Sequence, residues 1–313
     1  MFALLLRRFI VTWLTVLVAS TMVFVLVHAA GDPVDGFLAP GSSPEVRAAA
    51  RDRLGLNDPI AEQYLRYLGD TSRADFGDSW RNHMPAGEAV LERLPATIRL
   101  AAAAIAISTI GGLAIGLVSV WSGNPLLRQV VQFVGMLGQA VPAFWLGTIA
   151  ILVFAVRLGW LPSSGSSGWQ ALVLPAFTLA AYPGSMIARM TQTSLLDVQR
   201  QPYLTTARAK GLSSRAIWVR HALPNALLPT LALIGVQASF LVGGTIVVES
   251  VFAYPGVGRL ALQAATERDL PIIQAFVVVT VILVALVNLA VDLLAQVVDP
   301  GLRAGAGRMA AHG

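Results

Sequence analysis

YLTTARAKGLSSRAIWVRHALP, Tyr203 to Pro224, is a basic stretch punctuated by turn residues and set between two long apolar runs. A bare bundle of apolar helices needs no such insert, whereas a bundle gripped and moved by another protein does. Pro202 suits the first turn of a helix, where its missing N–H costs nothing. Tyr203 to Lys210 then gives about two turns, with Arg208 and Lys210 near the end that the helix dipole makes negative. Gly211 can adopt the left-handed conformation that ends a helix, and Ser213 can cap a second one over Ser214–Leu223, which Pro224 is predicted to stop. Tyr203 and Ala207, four apart, share a face, with Leu204 beside them. Helices this short are marginal alone in water, so these persist only when packed on their own bundle or on a partner. Composition alone suits a basic loop held at the membrane surface by anionic lipid equally well. The glycine between two helices favours a rigid lever.

Outward from this stretch the chain is apolar. Of 313 residues, 56% are hydrophobic and only 12% charged, about half the charge of a soluble domain. The fold class that follows is an all-α polytopic membrane protein. A window of about 19 residues picks out six transmembrane helices, near Phe9–Ala30, Thr97–Trp121, Val130–Val156, Trp169–Met190, Ala226–Ser250 and Pro271–Val298. The first could be a signal peptide, with Arg7 and Arg8 before it. Its apolar run is long enough to span and further spans follow, so it reads as a retained first helix. Cysteine is absent, which excludes disulfides and thiolate metal sites.

Arginine placement sets the orientation. Arg7 and Arg8, Arg128, the group Arg189, Arg200, Arg208, Lys210, Arg215 and Arg220, and finally Arg303 and Arg308 all fall on one side if both termini are inside. The opposite loops carry little positive excess, so the positive-inside rule predicts cytoplasmic termini. The high isoelectric point, near 10.2, then reflects topology and calls for no nucleic-acid partner. One membrane domain, 1–313, is expected, with a cytoplasmic loop at 191–225 and a long outside segment at 31–95. In that segment Ser43 and Pro44 open a helix that Gly55 ends. Asp58 and Pro59 open another, which carries Ile60, Tyr64, Tyr67 and Leu68 and ends at Gly69. The result is a small helical extracytoplasmic cap, or else a solvated loop with local helices. Tyr254-Pro255-Gly256 suits a type II turn.

At this point the residues are recognisable. The spacing of Ala207, Gly211, His221, Leu223 and Pro224 resembles the EAA signature of ABC-importer permeases, and ARAKGLSSRAIWVRHALPNALLP (207–229) is similar to its form in dipeptide/oligopeptide permeases. LGLNDPIAEQYLRYL (54–68), FGDSW (76–80), ERLPATIRL (92–100), GWLPSSG (159–165), ESVFAYPGVGRL (249–260) and DLLAQVVDPGLR (292–303) resemble further segments of that subfamily, in the order of its B-type permease. Thr206 stands where the wider signature has Glu, and Pro202 where many relatives have an acidic residue. The resemblance implies a type I ABC importer permease fold in a bacterial inner (cytoplasmic) membrane. It implies a homologous second permease as heterodimeric partner, two ABC ATPases that bind ATP and Mg, an extracytoplasmic substrate-binding protein and a di- or oligopeptide substrate. Similar permeases serve nickel chelates, glutathione and haem, which are the alternatives. The resemblance also makes the insert a coupling helix that docks on an ATPase, with Tyr203, Thr206, Ala207, Arg208, Lys210, Gly211, Leu212, His221 and Pro224 as its candidate residues.

Polar residues within spans come next. Gln132, Gln139, Gln237 and Asn288 can line a peptide path; the competing reading is interhelical hydrogen bonding. Asp292 near the end of span six suits an ion pair at a helix end better than a proton relay. Gly112 and Gly116 form a small-xxx-small pair suited to close packing. Enzyme chemistry has little support. Lys210 is the only lysine and is followed by Gly211, so there is no P-loop and no bound cofactor is expected in this chain. Gly165-Ser166-Ser167-Gly168 imitates a serine-protease motif but lies in a glycine-rich loop. His28, His83, His221 and His312 lack metal-ligand spacing. A gradient-driven secondary transporter is the rival from another class, and it needs ionisable residues inside the spans.

Overall fold

The computed structural model describes residues 2–29, 32, 34, 38 and 41–298. In chain order the helices are α1 (Phe2–Ala29), α2 (Pro44–Arg53), α3 (Ile60–Ser72), α4 (Ala86–Trp121), α5 (Pro125–Ala140), α6 (Ala143–Ala150, continued by a wider π-helical stretch, Ile151–Arg157), α7 (Gln170–Gln199), α8 (Pro202–Ala209), α9 (Ser214–Ile217, then a π turn, Trp218–Ala222), α10 (Leu223–Val251), α11 (Val257–Glu267) and α12 (Leu270–Val298). Among the described residues there is no strand, only an isolated bridge between Asp78 and Pro85. Five helices are long and apolar enough to cross a membrane, and a bent pair can supply a sixth crossing.

The chain forms two compact units. One holds the described residues of Met1–Ile98 and Ala253–Leu286, the other those of Arg99–Phe252 and Val287–Gly313. In the first, α2 opens as its sequence dictates. Ser43 Oγ accepts the Val46 N–H, Pro44 occupies the first turn, and Gly55 follows the last turn at φ +64°. The second helix of this segment, α3, departs from expectation at both ends. Pro59 occupies its N-cap position without a side-chain cap, because Asp58 pairs with Arg66 instead. Gly69 lies inside the helix, which runs on to Ser72. Tertiary packing overrides the weak glycine penalty of about 1 kcal/mol. Tyr64 and Tyr67 lie with ring centroids 5.2 and 5.5 Å from Phe24 of α1, and the Tyr64 hydroxyl meets Thr21 Oγ1 at 2.7 Å. Arg51 pairs with Asp32 at 2.5 Å. Burial alone raises that carboxyl, but the Arg51 and Val34 hydrogen bonds and the charges of Arg51 and Arg47 outweigh it and hold it below its usual range. The link is therefore intact at neutral pH and is lost only as pH falls through that lowered value.

Beyond the cap, buried Asp269 accepts the Ser79 hydroxyl and, at 3.2 Å, the Trp80 N–H, and Arg81 donates to the Glu267 carbonyl at 2.6 Å. Ala86, Ala89 and Val90 of α4 form a core with Val257, Ala264, Ile272 and Ala275. Tyr254-Pro255-Gly256 is not a type II turn. Gly256 is extended (φ −98°, ψ 177°) because it is the N-cap of α11, and the positive φ falls on Ala253.

In the second unit α7 is the most buried of the long helices, packed against α5, α6 and α10. Span three is not one straight helix. It breaks at Val141-Pro142, where α5 and the α6 stretch diverge by 103°. Proline lacks the N–H that would continue the ladder, and it drives Val141 before it to an extended ψ of 121°. The other spans lie near their expected positions, though α4 begins at Ala86 and α7 runs on to Gln199.

Gly112 and Gly116 of α4 meet α7 at backbone distance. A Cβ at Gly116 would lie 2.6 Å from Thr191 Cβ and 2.7 Å from the Ala188 carbonyl oxygen. Gly116→Val should therefore force the helices apart and destabilise the protein by about 1–3 kcal/mol or more. Gly111→Ala, where nothing lies within 4 Å, should be neutral or mildly stabilising. Thermal unfolding of the purified protein in detergent checks the pair, and equal midpoints for both variants would refute the close-packing account.

Candidate coupling segment and cavity

Residues 202–225 fold as two helices joined at Gly211, built largely from local rules. Gln201 is extended (ψ 137°) and Pro202 takes the first turn of α8. At the other end the Gly211 N–H bonds the Arg208 carbonyl at 3.0 Å and the Leu212 N–H bonds the Ala207 carbonyl at 3.3 Å. With Gly211 at φ +77°, this is a Schellman closure. Ser213 Oγ then accepts the Ala216 N–H at 3.3 Å and opens α9. Pro224 does not stop this second helix. The Leu223 N–H reaches the Trp218 carbonyl, five residues back, and the wider turn accommodates the proline with its missing donor. The helix is thus continuous from Ser214 to Val251.

Short α8 is held by one face. Leu204 and Ala207 are buried with Ile217 and Ala222, and Val198 and Trp218 pack on that core. Trp218 also stacks on Trp121, with centroids 6.3 Å apart and planes 12° apart. The opposite face is open: Tyr203, Thr206, Arg208, Lys210, Gly211 and Leu212 are exposed. Arg208 and Lys210 make it cationic, exposed Arg215 and Arg220 add charge on the following helix, and no acidic residue lies between Asp197 and Glu249. At the start of α8, the Asn225 side-chain N–H donates to the His221 carbonyl at 2.7 Å and to the Tyr203 hydroxyl at 3.3 Å. The Tyr203 hydroxyl in turn donates to the same His221 carbonyl at 3.4 Å.

A cavity of about 950 Å³ opens along α4, α5 and α7 at the bend of the broken span. Its walls are mostly apolar, with Ser108, Gln139, Thr178, Tyr182 and Ser185 contributing polar atoms.

Residues 108–304 match the family described as binding-protein-dependent transport system inner membrane component, and residues 1–101 match that family's N-terminal component. The chain belongs to this family. It is an ABC-importer inner-membrane permease subunit of the peptide/oligopeptide type. Over 290 residues it is 37% identical to the glutathione transport system permease protein GsiC of Salmonella paratyphi A, covering 92% of this chain and 95% of that one, and 36% identical to GsiC of Escherichia coli K12 over the same shares. In fold it is similar to an inward-facing MetNI methionine ABC transporter (TM-score 0.54, 23% identity) and to an amino acid ABC transporter crystallised with histidines (TM-score 0.54, 17% identity). Each covers 67% of this chain and 96% and 94% of the matched one, respectively.

The residues singled out in the permease's sequence fall into distinct settings. Ala207 faces inward as packing and offers no surface, whereas Tyr203, Thr206, Arg208, Lys210, Gly211 and Leu212 are exposed; His221 is half-buried and Pro224 exposed. The four polar span residues are not gathered into one path. Gln139 alone lines the cavity, and its amide bonds the Gly135 carbonyl at 2.9 Å. Gln132 is exposed on α5. Gln237 donates to Met186 Sδ at 3.0 Å, and Asn288 accepts the Ser239 hydroxyl at 2.6 Å, so both tie helices together. Arg303, Arg308 and His312 lie outside the described residues. Three polar residues were missed by pattern: Asn225, Glu249, which is fully buried in α10, and Gln192, whose buried amide bonds Ser119 Oγ and the Arg128 carbonyl. A polar residue in an apolar run was the available signal for Glu249 alone.

Gly211 has open space around it, so only its backbone conformation limits substitution. A β-branched residue at φ +77° is strained by about 1–2 kcal/mol, while Asn visits that region readily. Gly211→Asn should retain most ATP-driven transport and Gly211→Val should lose it, with both variants inserted normally. Equal uptake by the two in proteoliposomes would show that the closure is not needed.

Proposed function

We propose that this permease forms half of the translocation path of an ATP-driven importer for short peptides, with glutathione, itself a tripeptide, the first substrate to test. The observation that carries the coupling role is α8: a two-turn helix fixed on its apolar side to the foot of α10, with an open cationic side. Such a helix can receive a push from a docked protein and deliver it to a span as rigid-body motion. Its natural partner is an ABC ATPase, which binds the ATP and Mg; this chain itself performs no catalysis and needs no cofactor.

In this reading a homologous second permease completes the path, two ATPases dock at the cytoplasmic side and an extracytoplasmic binding protein delivers substrate. Both termini are cytoplasmic, and the cap carried by α2 and α3 meets the binding protein or seals the outer mouth. The cavity at the broken span contributes the wall of the path through Gln139, Tyr182 and Ser185, while Gln237 and Asn288 serve its framework. Likeness to the glutathione permeases over nearly full length favours a peptide-sized substrate over nickel chelates or haem.

The test is reconstitution of the chain with its cognate permease, ATPases and binding protein, with uptake measured for glutathione, dipeptides, a nickel chelate and haem. ATP-dependent import of a peptide, absent when the ATPases are omitted, is expected. Uptake by this chain alone under an ion gradient would replace the importer reading with a secondary transporter, and import restricted to the nickel chelate or haem would overturn the substrate.

A further inference from the structure

We propose that Asn225 and Tyr203 form a clasp that fixes the angle between α8 and α10, and so sets how much ATP the assembled importer hydrolyses per molecule carried. The inference rests on the coupling role proposed for α8. It comes from what the apolar contact leaves undetermined. Leu204 and Ala207 lie on one side of α8 and pack with Ile217 and Ala222, with Val198 and Trp218 alongside. A two-turn helix held along one face only can rock on it, because dispersion and hydrophobic contact are not directional. The Schellman closure pins the far end at Gly211, through backbone bonds that lie within the segment itself.

At the near end the only side chains that reach across are Tyr203 and Asn225, among the described hydrogen bonds of this segment. They converge on one acceptor, the His221 carbonyl, which belongs to the π turn through which α9 passes into α10. Three groups from three places in the chain thereby meet: the second residue of α8, the π turn and the first turn of α10. Asn225 follows Pro224 at an exposed position, where asparagine is among the less favourable helix residues. Its amide supplies donors to two acceptors at once, which an alanine or an aspartate there cannot do. Exposed hydrogen bonds of this length add little to global stability, so the clasp acts on geometry: it makes α8 and the foot of α10 turn together.

The fully assembled transporter, reconstituted in proteoliposomes, tests this with Asn225→Ala, Asn225→Asp, Tyr203→Phe and the Asn225→Ala/Tyr203→Phe double variant. The readout is ATP hydrolysed per substrate imported, together with the amount of ATPase that co-purifies. Each single variant is expected to raise that ratio about threefold or more with the ATPases still bound, and the double variant to go no further, because two halves of one clasp are not additive. The chain has no cysteine, so spin labels at Thr206→Cys and Leu228→Cys can report the angle directly, and their distance distribution should broaden in Asn225→Ala. Unchanged ratios, transport and hydrolysis falling in the same proportion, or additive effects in the double variant would each overturn the clasp. A wild-type complex that never couples ATP to import would instead remove the reading of α8 on which the clasp rests.

Discussion

A backbone N–H or C=O left bare in hydrocarbon costs several kcal/mol, and the irregular features of this chain are arranged around that constraint. Straight helices satisfy it by themselves. At the breaks before Pro142 and Pro224 a backbone partner stands at hand. At the Val141-Pro142 break, the Val141 N–H still closes on the Leu137 carbonyl at 3.0 Å before the chain turns. At Pro224 the ladder widens by one residue so that Leu223 finds the Trp218 carbonyl. At exposed Gly211, outside the spans, two backbone bonds likewise cap carbonyls at the end of α8. Threonine and serine hydroxyls within the spans turn back on their own helices in the same way, as Thr191 does on Ile187 at 2.7 Å.

How much of this could be read from residues alone follows from the range of the forces involved. Caps and stops are local, so Ser43-Pro44, Pro202, Gly211 and Ser213 declared themselves through chemistry that acts over three or four residues. Spans are recognisable by mean hydropathy, and for the same reason the break in span three was invisible: a window of about 19 residues averages over one proline. Pro224 misled in the opposite direction. The rule that proline ends a helix assumes a fixed ladder of four, and the π turn relaxes that assumption. Gly69 misled because the contact of Tyr64 and Tyr67 with Phe24 joins residues 40 and 43 positions apart.

The candidate site divides along the same line. That residues 203–224 hold two short helices about a glycine stop was legible, since the turn residues declare it. Which side of α8 faces out was not. Ala207 and Tyr203 share a face by spacing, yet the packing of Ile217 and Ala222 takes Ala207 and leaves Tyr203 at 40% exposure. Among the span polar residues, sequence supplies the type but not the direction, and direction decides between a wall and a strut. Gln139 lines the cavity, whereas Gln237 and Asn288 tie helices together.

The bent third span has a consequence for how the protein enters its membrane. The first leg, α5, has 16 residues, about 24 Å of helix, and the hydrocarbon layer is about 30 Å thick. The second leg is no longer. Neither can be released into lipid as a finished crossing element, because each would strand its elbow in the apolar layer. The pair becomes comfortable there only once α7 is present to cover the bend. The two short legs are therefore seated by their packing against α7, a helix that emerges later in synthesis.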